Sequence, residues 1–245
     1  MYENLRCIAL RTIKYDDRRN ILSVWSAERG RIGLLMPAGS SREALRRRAL
    51  TMPLGIFEGQ VDFRSGYDLF NIRDIRPLAV LPDIYGSPSK TVVAMFVAEV
   101  LDRVLREAPA DMAMTQFIFD SVKVLTTLNP RGTAAFPLVF LTRLGAFIGI
   151  EPDMTEWRPG MYFDMTGGVY RTTESAIPGS RTLSPSEAAV AQMMQRLTYA
   201  ASQRLCLSPG ARHEILDTIL DYYSIHHTSL KSLHTTQMLH DLLNN

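Results

Sequence analysis

The residues of this 245-residue sequence whose types and spacing most plainly suggest chemistry are cations. Arg42, Arg46, Arg47 and Arg48 share one short segment, and Arg11, Lys14, Arg18 and Arg19 bracket a turn at Tyr15-Asp16-Asp17. Cations gathered in this way attract a polyanion and release its condensed counterions, so the chemistry they point to is contact with a phosphate backbone. Charge is unevenly placed along the chain. Residues 1–80 hold 14 Lys and Arg against 9 Asp and Glu, and residues 81–245 hold 13 against 16, although the whole chain carries only +2. An ordinary solvated surface with arginine-rich helix ends explains the same composition, and the residues alone leave both readings open.

Covalent chemistry finds little support. There is no GxxxxGK[ST] or GxGxxG loop to cradle a phosphate and no GxSxG elbow for a nucleophilic serine. Gly167-Gly168 lies between two apparent strands, where a turn explains it. His226-His227 belongs to no HExxH or His-x-His set, and adjacent residues point to different sides of a helix, so capping or surface roles are expected. Asp16-Asp17 is explained by turn preference. Cys7 and Cys206 form no CxxC pair and read as reduced, buried thiols. The expectation is a protein that is not an enzyme.

The elements that must position the cations follow from hydrophobic period and turn chemistry. Residues 4–14, 21–25 and 32–36 read as three strands joined by turns at 15–17 and 28–30, and residues 55–63 and 69–75 read as two more. The polar, basic stretch 40–50 between the third and fourth strands reads as a short helix. Five strands with one longer connection suit a Greek-key barrel of the oligonucleotide-binding (OB) type. From Ser89, taken as an N-cap, apolar residues recur at helical spacing through 107. Helices follow over 114–128, 133–148, 213–226 and 231–243. Another, running through 188–205, starts at the Ser184-Pro185-Ser186-Glu187 signal. A β-hairpin over 161–171 interrupts the series. The fold class is therefore α+β, with residues 1–80 an amino-terminal OB barrel and 81–245 a mainly helical domain carrying a hairpin lobe at 155–175. Trp25, Phe57 and Phe63 read as barrel packing, and Tyr15 and Tyr67 as exposed rings on which bases could stack. No run approaches the ~18 apolar residues of a spanning helix. The amino end lacks the features of a secretory signal, so a cytoplasmic address is expected.

The opening CIALRTIKYDDRRNILSVWSAERGRIGLLMPAG, the stretch FPLVFLTRLGAFIGIEPD, the YFDMTGGVY hairpin and the closing LDYYSIHHTSLKSLHTTQMLHDLL together resemble the bacterial RecO family of recombination mediators. The likeness covers nearly the whole chain and rests on the order and spacing of these elements. It implies an OB domain followed by a helical domain. It also implies binding of single- and double-stranded DNA, annealing of complementary strands, and association with the nucleoid. Implied partners are RecR, the acidic tail of the single-stranded DNA-binding protein SSB, RecA indirectly, and RecF.

On that resemblance Arg11, Lys14, Arg18, Arg19, Arg42, Arg46, Arg47 and Arg48 are expected to be backbone contacts, with Arg29 and Arg31 weaker candidates. Arg131, Phe136, Phe140 and Arg143 would face the SSB tail. Many relatives carry a four-cysteine zinc site beside the hairpin, but the corresponding stretches here read TEWRPGMYFD and GGVYRTTES, so no zinc is expected. Trp157, Tyr162, Phe163 and Tyr170 would form an aromatic mini-core in its place. Two other functions remain consistent with the residues: an OB-fold RNA-binding protein, or a protein-interaction scaffold with no direct role on DNA.

Overall fold

A computed structural model describes residues 2–175 and 179–243, with the side chains of 242 and 243 left out. The chain divides into two compact units, one ending at Thr127 and the other beginning at Leu128.

The first unit opens with β1 (Tyr2–Lys14), β2 (Arg19–Ser26) and β3 (Gly30–Pro37), then α1 (Arg42–Leu50), β4 (Ile56–Asp62) and β5 (Leu69–Pro77). The strands close a barrel in the order β1-β2-β3-β5-β4. Every pairing is antiparallel except β3 with β5, and α1 joins β3 to β4, so the topology is that of an OB barrel. Alternation along the strands turns Leu5, Cys7, Ala9, Leu22, Val24, Leu34, Met36 and Phe57 into the lumen. The chain leaves α1 through Gly55, where a Cβ would lie 2.3 Å from the Leu50 carbonyl oxygen, so no other residue fits without moving backbone.

Three helices complete this unit: α2 (Pro82–Tyr85), α3 (Pro88–Val104) and α4 (Met112–Thr127). α3 packs on β1 and β2. Trp25 is fully buried outside the lumen, its indole N–H donating to Thr115 Oγ1 of α4 at 2.8 Å. Arg31 on β3 meets the buried carboxylate of Asp102 on α3 at 2.7 Å. Ser87, not Ser89, occupies the N-cap position of α3, because Pro88 takes the first helical place.

The second unit is built on α5 (Pro130–Phe147), whose N-terminus is capped by Asn129 Oδ1 accepting the Gly132 N–H. A small sheet follows, β6 (Tyr162–Asp164), β7 (Val169–Arg171) and β8 (Thr182–Leu183), in the order β7-β6-β8. Then come α6 (Pro185–Arg196), α7 (Tyr199–Ser202), α8 (Pro209–His226) and α9 (Thr235–Leu243). α6, α7 and α8 pack on α5. α6 starts on a complete Ser184–Glu187 capping box. The expected helix through 205 instead breaks at Leu197, where the backbone is extended and Thr198 caps α7 by accepting the Ala201 N–H.

The hairpin lobe is held by Phe163, Met165, Tyr170, Leu183 and Ala188, with Trp157 and Tyr222 packed against them. Trp157, Phe163 and Tyr170 thus take part as expected, whereas Tyr162 stands outside that cluster. The polar centre of the lobe is Asp164, 1% exposed, which accepts hydrogen bonds from the N–H groups of Thr166 and Gly167, from Ser180 Oγ and from Arg171 Nε. Burial opposes its charge, yet the bonds from Gly167, Ser180, Arg171 and Thr166 outweigh it and hold the carboxyl below its usual range. With its lone pairs so occupied, Asp164 suits no metal, and among the described residues no group of three His, Cys, Asp or Glu side chains is placed to hold one. Cys7 is buried as expected, but Cys206 is exposed, because it lies in the connection between α7 and α8. Among the described residues no helix is long and apolar enough to cross a membrane.

Candidate nucleic-acid interface

The turn between β1 and β2 is closed by two N–H groups, those of Tyr15 and Asp16, both donating to the Arg19 carbonyl at 3.1 Å. Asp16 shapes the tip. One carboxylate oxygen accepts the Arg18 N–H at 2.8 Å and the other receives the Arg19 guanidinium at 2.7 Å. The Arg19 side-chain hydrogen bond, with help from Arg18, keeps the Asp16 carboxyl below its usual range. Arg19 also lies 5.1 Å from the Tyr15 ring centroid, and Lys14 pairs with Asp17 at 2.7 Å. These ion pairs are exposed, and exposed pairs contribute little to stability, so a phosphate can displace them at small cost.

α1 forms because Ser41 caps it, accepting the Ala44 N–H, while Glu43 and Arg47-Arg48 suit the opposite ends of its dipole. Its inner side buries Ala44, which leaves Arg42 and Arg46, one turn apart, exposed together. The exposed Leu45 lies on the same side, a feature that sequence reasoning missed. Arg47 is half-buried and 3.6 Å from Glu43, and Arg48 donates to the Gly39 carbonyl.

The two groups of cations meet at one end of the barrel. Arg19 pairs with Pro37 in the sheet, and the Ala38 N–H donates to the Arg18 carbonyl at 2.7 Å. Arg48 holds the next residue, Gly39. Arg18, Arg19 and Arg48 are thereby joined through the Ala38-Gly39 link, with Arg42 and Arg46 on the adjoining helix. Arg11 is exposed further along β1, opposite Ser23. Arg11, Arg18, Arg42 and Arg46 have no acidic side-chain partner among the described residues.

The weaker candidates are otherwise engaged. Arg29 pairs with Glu3 and stacks on Phe63, and Arg31 is tied to Asp102. Phe57 lies in the lumen and Phe63 packs against it. Tyr15 and Tyr67 are both exposed, on the β1–β2 and β4–β5 loops. They do not form one cluster, since the β4–β5 loop ends where Leu69 pairs with Gly33, away from Pro37. Between the loops the outward side of β2 and β3 shows Ile21, Ser23, Gly33 and Leu35, all half-buried. OB barrels bind oligonucleotides at this face and these loops.

In the second unit Arg131 and Arg143 are exposed, but Phe136 and Phe140 are fully buried. Phe136 stacks on Phe140 and on Tyr199, and Arg143 lies 5.7 Å from the Tyr199 centroid. The aromatic contact expected for an SSB tail is made inside the chain by α7, so the two phenylalanines offer no surface to it.

Residues 86–234 match the family described as Recombination protein O C terminal. The chain is similar to the DNA repair protein RecO of Bacteroides fragilis, 28% identical over 235 residues and 96% of each chain. It is also similar to those of Phocaeicola vulgatus, 29% over 238 residues and 96% of each, and Porphyromonas gingivalis, 29% over 241 residues and 97% of each.

Proposed function

Because the chain belongs to the RecO family and is a DNA repair protein of that family, we propose that its barrel end binds DNA backbones and anneals complementary strands. The observation that carries this reading is the meeting of the β1–β2 turn and α1, which gathers Arg18, Arg19, Arg42, Arg46 and Arg48 around the Ala38-Gly39 link. Two phosphate backbones repel each other, and exposed guanidinium groups that neutralise both let base pairing finish the reaction. No covalent catalyst is required, so the protein acts as a mediator and not an enzyme. Contacts of this kind position a strand without reading its sequence, as a general annealing factor needs. On this reading it works with RecR on SSB-coated strands to load RecA.

The test replaces Arg42, Arg46 and Arg48 with glutamate and measures oligonucleotide anisotropy and annealing of SSB-coated strands. Affinity is expected to fall at least about tenfold and to lose part of its salt dependence, with annealing falling in step. Unchanged affinity and salt slope would remove α1 from the interface. Matched DNA and RNA strands at one salt concentration separate this function from RNA binding, which would favour the strand carrying 2′-hydroxyls.

A further inference from the structure

The second unit contains an apolar cavity of about 450 Å³ between α6 and α8, which the DNA reading does not use. It is lined by Leu141 of α5, Val190 and Met193 of α6, Ile215 and Ile219 of α8, and Phe163 of the hairpin lobe. Val190, Met193, Ile215 and Ile219 are half-buried, so the cavity opens to solvent as a trough along the helices. Its size and lining are those of a site that takes an apolar group, and methionine adapts to varied shapes.

The charge on the lining is mostly negative. Glu187, Glu214 and Asp217 are exposed carboxylates on the lining, Glu187 on α6 and the other two on α8. Ser184 hydrogen bonds hold the Glu187 carboxyl below its usual range, so it stays ionised. The cation on the lining, Arg181, shares Asp221 with Lys231 and also acts on Glu187, so the excess negative charge of the lining lies at Glu214 and Asp217 on α8. An acidic segment entering the trough would therefore meet repulsion, and a basic one would find two carboxylates about one helical turn apart on α8.

We propose that the trough between α6 and α8 is a docking site for a short amphipathic segment of a partner protein, one that carries lysine or arginine beside large apolar side chains. The apolar residues fill the cavity against Leu141, and the cations pair with Glu214 and Asp217. The charge requirement is opposite to that of an acidic tail, so the site selects a different class of partner from the one sought at Phe136.

The test uses the full chain and three fluorescein-labelled helical peptides: a leucine/lysine amphipathic peptide, a leucine/glutamate peptide with the same apolar positions, and a lysine peptide lacking the leucines. Anisotropy is expected to show the leucine/lysine peptide binding at least about tenfold more tightly than either control. The double variant Glu214→Lys, Asp217→Lys alters exposed side chains, so the fold is kept, and it should reverse the preference between leucine/lysine and leucine/glutamate. Ile215→Asn, checked by circular dichroism for an intact fold, should weaken binding of both leucine peptides. Equal binding by the glutamate peptide, or by the lysine peptide without leucine, overturns the proposal. So does a preference unmoved by the charge reversal. Concentration-dependent dimerisation of the chain that the double variant abolishes would make a second copy the occupant and overturn it as well.

Discussion

At the end of the barrel Arg42 and Arg46 stand exposed with no acidic partner among the described residues, whereas at the hairpin of the second unit Asp164 is buried and receives bonds from Thr166, Gly167, Arg171 and Ser180. Both places concentrate charge, and they differ in what already satisfies it. A charge whose partners lie within the chain contributes to that region's stability, because removing it strands the groups bonded to it. A charge left in water contributes little to stability and remains open to an incoming phosphate. The same contrast divides the arginines of the barrel, with Arg31 bound to Asp102 and Arg46 exposed to solvent.

The largest effect that would break this contrast is at the hairpin. Asp164→Ala is expected to cost about 3 kcal/mol, measured by thermal or denaturant unfolding, with hydrogen exchange showing the loss centred on β6 and β7. A cost below about 1 kcal/mol would mean that the apolar cluster alone holds the lobe. The pH dependence has a fixed sign. The folded carboxyl titrates below its usual value of 3.8, so its stabilisation is complete above that value and is lost as pH falls through the lowered one. Next in size is Arg31→Ala, which leaves the Asp102 carboxylate without its cation and should cost about 2 kcal/mol while leaving DNA affinity unchanged. The cost is less than for a fully enclosed pair because the Arg31 side chain is 24% exposed and water can reach the gap. The smallest effect is at the β1–β2 turn. Asp17→Asn removes an exposed partner of Lys14 and should change stability by less than about 0.5 kcal/mol, while raising DNA affinity slightly at low salt.

Much of the barrel could be read from the sequence because one strand face is buried and the other is not, so apolar alternation and the turns at 15–17 and 28–30 carry the pattern. The stretch 40–50 reads as a short helix only from its polar, basic residues between two strands, and the Ser41 cap that starts it is a finding of the structure. Periodicity fails where a second cap competes with it. Residues 188–205 keep a helical apolar spacing, but Thr198 offers its own hydroxyl to the Ala201 N–H, and the backbone extends at Leu197. Pro88 displaces the cap of α3 from Ser89 to Ser87 through its missing N–H. For the candidate site, the clustering of the arginines was visible in the chain, but their joining through Ala38-Gly39 depends on contacts between strands. Likewise nothing local distinguishes Arg29 and Arg31 from Arg46, since Glu3 and Asp102 lie far from them in sequence. Asp164 was missed because its donors, from Thr166 to Ser180, converge only when the hairpin forms.

The most direct test compares two double variants, Arg42→Ala with Arg46→Ala and Arg29→Ala with Arg31→Ala, each titrated with single-stranded DNA over a range of salt and each unfolded in denaturant. The first pair should lower the slope of log affinity against log salt by about 1.4 with stability unchanged, roughly 0.7 for each phosphate that is no longer neutralised. The second should lower stability through the largely buried Arg31–Asp102 pair and lower the slope by less than the first, because only the exposed Arg29–Glu3 pair can be exchanged for a phosphate. Equal slopes in both variants, or a decrease in slope confined to the Arg29 and Arg31 pair, would contradict the assignment of the exposed α1 arginines to the DNA backbone.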